Sequence, residues 1–88
     1  MDSVLISPHA RQQMDLRGAS EQEVILAIRE GEATPAKSGR LICRKNFSFR
    51  SEWKGRYHET KQVAPIVARE GDSLVVVTVY VFYFGGKE

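Results

Sequence analysis

Cysteine is nearly absent from this 88-residue chain. Cys43 stands alone, so no internal disulfide can form and no cysteine cluster can hold a structural zinc. Its expected place is the core. Histidine is as scarce: His9, His58 and Cys43 match no ligand spacing, so neither a metal site nor a cofactor is expected. The amino-terminal MDSVLISPHA lacks the basic and long apolar stretches of a signal peptide. The longest apolar run has eleven residues, too few for a membrane-spanning helix. Repeats and linker-like segments are missing too. One domain over residues 1–88, cytoplasmic and without a membrane partner, is the expectation.

What is present is ordinary in amount and uneven in order. Charged residues at 27% and apolar ones at 42% suit a globular domain. The apolar run, LVVVTVYVFYF at 74–84, is β-branched or aromatic nearly throughout and reads as a strand near the middle of a sheet. Side chains alternate along a strand, so Val75, Val77, Val79, Val81 and Tyr83 share one face. That face is expected under helices. The other, with Thr78, Tyr80, Phe82 and Phe84, is expected to be open.

Two helices precede the sheet. Ser7-Pro8 supplies a cap and a first-turn proline for a helix over about 8–16, which Gly18 ends. Ser20-Glu21-Gln22-Glu23 is a capping box opening a helix over about 20–30, stopped by Gly31. Thr34-Pro35 forces an extended turn. Residues 40–47 form a strand, 48–55 a polar loop, and 56–70 an extended segment in which Pro65 implies an edge or a bulge. Gly71 and Asp72 make a tight hairpin turn. The expected fold class is α+β: two N-terminal helices packed on one face of a three- to four-stranded antiparallel sheet at about 40–84.

A two-residue hairpin loop pairs Glu70 with Ser73, and further along pairs Lys61 with Phe82. Lys61 then shares a face with Thr78 and Tyr80. One extra residue, or a bulge at Pro65, would turn it to the opposite face.

Charge is segregated. Residues 1–32 hold three arginines against six carboxylates, and residues 37–61 hold eight cations against two. A basic middle fits a phosphate-binding patch, and equally a set of solvated strand charges. Within it NFSFRSEWKGRY, at 46–57, interleaves aromatics with cations, a composition that suits single-stranded nucleic acid. Arg44, Lys45, Trp53, Lys54 and Arg56 are the candidate nucleic-acid contacts. The other reading folds Phe47 and Phe49 back over the core and leaves Trp53 at the surface.

His9-Ala10, Met14, Arg17-Gly18-x-Ser20, Val24, Ala27-Ile28 and Gly31, with Thr78-Val79-Tyr80 in the last strand, resemble the small bacterial family called domain of unknown function 4258. That family commonly has an arginine just before the methionine, where this chain has Gln13, so a role of that arginine does not carry over. The resemblance implies a relative of the barnase, RelE-type toxin and colicin nuclease fold, hence a metal-independent ribonuclease-like toxin with RNA and a cognate antitoxin as partners. The alternative is a non-catalytic RNA- or protein-binding module.

Metal-free RNA cleavage needs a base for the 2′-hydroxyl, an acid for the leaving oxygen, and donors for the phosphorane charge. His9 is the candidate acid or base. Arg17 and Lys61 are candidates to hold phosphate, with Thr78 and Tyr80 as hydrogen-bond donors. Each has a plainer role. His9 suits a surface helix turn, Arg17 complements a helix C-terminus, Lys61 deters edge aggregation, and Thr78 and Tyr80 are good strand formers.

Overall fold

The structure, a computed structural model, describes residues 3–86. Asp2, counted above in the acidic segment, lies outside them. The order is β1 (Ser3–Ile6), α1 (Pro8–Arg17), α2 (Glu21–Glu30), β2 (Glu32–Pro35), a 3-10 turn at Lys37–Gly39, β3 (Leu41–Trp53), β4 (Arg56–Glu70) and β5 (Ser73–Phe84).

Both helices begin and end where their caps dictate. The Ser7 hydroxyl accepts from the Ala10 N–H at 3.1 Å, and Gly18 closes α1 in the left-handed region at φ 82°. At α2 both bonds of the capping box form, Glu23 N–H to Ser20 Oγ at 3.1 Å and Ser20 N–H to Glu23 Oε1 at 3.0 Å. Gly31 then lets the chain turn where a side chain would strike the backbone oxygens of Ala27 and Arg44.

The class is α+β as expected, but the sheet is larger and mixed. It has five strands in the order β1-β5-β4-β3-β2, with β1 parallel to β5 and every other pair antiparallel. The two added strands have four residues each, too short to show a period of two. The polar segment at 48–55 is not a loop. β3 runs through to Trp53 and turns at Lys54 and Gly55, with φ of 53° and 85°. Two central residues at positive φ make the turn that matches the right-handed twist of a hairpin.

Pro65 lies on β4, the central strand, and not at an edge. Proline has no N–H to give the ladder. The β3–β4 pairing is accordingly interrupted, running through Ile42–Ile66 and resuming at Lys45–Val63. On the other side, Ile66 pairs with Thr78 and Val67 with Val76, leaving Val77 as a bulge.

That bulge resets the faces of β5. The turn pairs Glu70 with Ser73 as expected, but beyond Val77 the register is shifted by one and Lys61 faces Tyr83 in place of Phe82. The aliphatic face is corrected likewise: Val76 and Val79 are fully buried while Val75 and Val77 are only half-buried. Helix residues Ala10, Met14 and Val24 pack on Val63, Val67, Val76, Val79 and Cys43 to form the core. Each fully buried valine contributes about 1.5–3 kcal/mol. Among the described residues, no helix lies on the opposite face of the sheet.

Candidate functional site

The shifted register sends Lys61 under the helices. Its residue is 6% exposed, and its ammonium donates to Glu23 Oε1 at 2.8 Å and to the Gly18 carbonyl oxygen. Its Nζ also lies 5.8 Å from the centre of the Phe49 ring. Lys61 therefore does not share a face with Thr78 and Tyr80, and its charge is matched within the fold. Burial pushes the Glu23 carboxyl up, but the Lys61 hydrogen bond, the Ser20 N–H and the Lys61 charge outweigh it and hold the carboxyl below its ordinary value.

Around this pair the helices are fastened to the long hairpin. Tyr83 Oη donates to the Arg17 carbonyl at 2.7 Å, and the Trp53 ring stacks on the Tyr83 ring at 5.0 Å and 16°. Phe49 and His58 flank the same ring. Gly18 fits beneath it, since a Cβ there would come within 2.7 Å of Tyr83 Oη and 2.8 Å of Trp53. Burial, and then the Glu23 charge, push the Tyr83 phenol up. Trp53 is thus half-buried and not a free surface ring.

Fastening the end of α1 aims Arg17. β1 covers the β5 edge only as far as Val76. Past it, side chains cap the carbonyls: Ser7 Oγ donates to Val77 O at 3.4 Å and Arg17 Nη1 to Val79 O at 2.8 Å. Filling an edge in this way discourages a strand from adding there. From the edge the Arg17 guanidinium reaches the open face and lies 5.2 Å over the Tyr80 ring. Arg17 and Tyr80 are brought together.

Thr78, half-buried, pairs with Ile66 and shares the face of Tyr80 two positions on. The remaining candidates are placed apart. His9 is exposed in the first turn of α1, about 12 Å from Arg17 along the helix axis at 1.5 Å per residue. Arg44 is exposed on β3. Lys45 turns toward the helices and pairs with Glu30 at 3.4 Å. Lys54 and Arg56 sit at the hairpin tip, with Lys54 Nζ 5.6 Å from the Trp53 ring centre.

The open face itself holds a row of aromatics. Tyr80, Phe82 and Phe84 are 40%, 46% and 43% exposed, and the first two rings stack at 6.4 Å and 19°. They oppose Ala64, Gln62 and Thr60, so each step leads toward the basic hairpin tip. Gln62 is tied to Asn46 Oδ1 by a 2.9 Å hydrogen bond.

Over residues 6–81 the chain matches DUF4258, a domain of unknown function. It belongs to the DUF4258 family. Searches of curated proteins and of solved structures return no match. Among the described residues of this DUF4258 domain, no three His, Cys, Asp or Glu are grouped so as to hold a metal ion, and no helix is long and apolar enough to cross a membrane.

The openness of this face agrees with the sequence expectation, but Tyr80 is read there as a hydroxyl donor or strand former and the row is not read as a stacking surface. Its signal is Tyr80, Phe82 and Phe84 at spacing two beside a valine face, which places three large rings on the side that a two-helix layer leaves uncovered.

Proposed function

We propose that this DUF4258 domain binds single-stranded RNA across the open face of its sheet. The observation that carries the reading is the row Tyr80, Phe82 and Phe84, exposed at alternate positions of one strand with the Arg17 guanidinium against its first ring. Exposed rings on a sheet stack on unpaired bases, which an A-form duplex hides. Arg17 stands at one end of the row, and the exposed Arg50, Lys54 and Arg56 lie toward the other. The choice of RNA among the nucleic acids rests only on the ribonuclease-like kinship that the sequence resemblance implies.

Cleavage, and with it a toxin role and an antitoxin, has less support. Lys61 is engaged by Glu23, and His9 lies far along the helix from Arg17. His9→Ala is therefore expected to leave both RNA affinity and melting temperature unchanged. Measurable RNA cleavage by the wild type, lost by a hundredfold or more in that variant, would put catalysis in place of binding.

Anisotropy of a labelled ten-nucleotide single strand tests the binding. Affinity is expected to fall steeply with salt as phosphate counterions are released. Replacing Lys54 and Arg56 with Gln should weaken binding and flatten the slope by about 0.7 for each lost phosphate contact. Absence of binding at low salt, or a slope the double variant leaves unchanged, would reject the proposal.

A further inference from the structure

Beside the aromatic row lies a pocket of about 250 Å³ lined by Asn46, Phe47, Ser48, Arg50, Glu59 and Thr60. Thr60 pairs with Phe84 on one side and Ser48 on the other, so the pocket continues the row at its last ring. Arg50 falls where the β3–β4 register shifts, between Ser48 and Ser51, and has φ of 46°. A bulge re-aims a side chain, and an L-residue held at positive φ is a strained conformation found often at ligand sites. Arg50 and Glu59 border one cavity, yet among the described residues neither is in an ion pair.

We infer that this pocket receives a guanine base from the RNA strand lying on the aromatic row. The inference rests on the RNA-binding reading above and adds a base preference to it. A carboxylate is acceptor-only and offers two oxygens. Among the four bases, guanine alone presents two adjacent donors, N1–H and the N2 amino group, on its Watson–Crick edge. Uracil and cytosine present one donor group between or beside acceptors, and adenine one. A guanidinium is the matching reader of guanine O6 and N7. Glu59 and Arg50 thus satisfy complementary edges of the same base. The Ser48 and Thr60 hydroxyls and the Asn46 amide adapt to the remaining polar atoms. A bare phosphate is disfavoured because Glu59 would repel it.

The test compares two labelled RNAs, a uridine decamer and the same decamer with one central guanosine, against wild type, Glu59→Gln and Arg50→Gly. Glycine suits the backbone at position 50, and both replaced side chains are exposed, so the variants are expected to melt with the wild type. The wild type should bind the guanosine strand about tenfold tighter. Each variant should reduce that preference to within about twofold while Glu59→Gln keeps its affinity for the uridine decamer. Equal binding of the two RNAs by the wild type would overturn the guanine pocket and leave RNA binding intact. A preference that survives in both variants would also overturn it, by placing the selection elsewhere. Failure to bind either RNA would overturn the pocket and the RNA reading together.

Discussion

Glu23→Gln is expected to lower the unfolding free energy by about 3 kcal/mol, because it leaves a buried ammonium without its counter-charge. Glutamine keeps an oxygen for the Ser20 N–H, so the helix cap is retained and the change isolates the charge. Lys61 stays 6% exposed, with the Gly18 carbonyl and the Phe49 ring as its remaining partners. Lys61→Met should cost less, since it removes the buried charge and leaves a carboxylate whose side chain is 24% exposed. Adding Lys61→Met to Glu23→Gln should restore much of the loss. The same pair predicts the acid limb. The Glu23 carboxyl lies below its ordinary 4.5 in the folded protein, so its contribution is complete above that value. It is lost as pH falls through the lowered folded value. The gap between wild type and Glu23→Gln in urea melts should therefore narrow as pH falls below 4.5. A gap under about 1 kcal/mol at pH 7 would mark the pair as solvent-screened.

How much of this was legible in the residues depends on the range of the interactions involved. Caps and turn glycines act within four positions, so both helices and the Glu70–Ser73 pairing could be read from the chain. The face assigned to Lys61 could not. It depends on one extra residue at Val77, across the sheet from a proline that disrupts the ladder, and every side chain beyond it changes side. Pro65 did signal a bulge, but the sequence has no mark that puts the extra residue on β5. The length of β3 was hidden for another reason. Residues 48–55 are exposed apart from Phe49 and Trp53, and polarity in a strand that buries little looks like a loop. Arg17 shows the limit of motif reading: it does complement the end of α1, and it also reaches across the strand edge to Tyr80, 63 positions on. Only the folded register brings those two residues together.

Replacing Tyr80 and Phe82 together with Ala is expected to weaken single-stranded RNA binding by about 2–6 kcal/mol, roughly 30-fold to 10,000-fold or more, at about 1–3 kcal/mol for each stacked base. Both rings are substantially exposed and contribute little to the core, so the melting temperature should move far less than the affinity. The folded-state losses are the contact of Arg17 with the Tyr80 ring, about 0.5–1 kcal/mol at an exposed site, and the stacking of Tyr80 on Phe82. Tyr80→Phe separates ring from hydroxyl. Stacking predicts near wild-type affinity for it, whereas a hydroxyl that donates to phosphate predicts a loss close to that of Tyr80→Ala. The salt slope separates stacking from charge: removing rings should lower affinity equally at all salt concentrations, in contrast to the hairpin-tip double variant. An affinity unchanged in the Tyr80, Phe82 double variant would mean that RNA does not lie on this face. The three rings would then be ordinary strand formers.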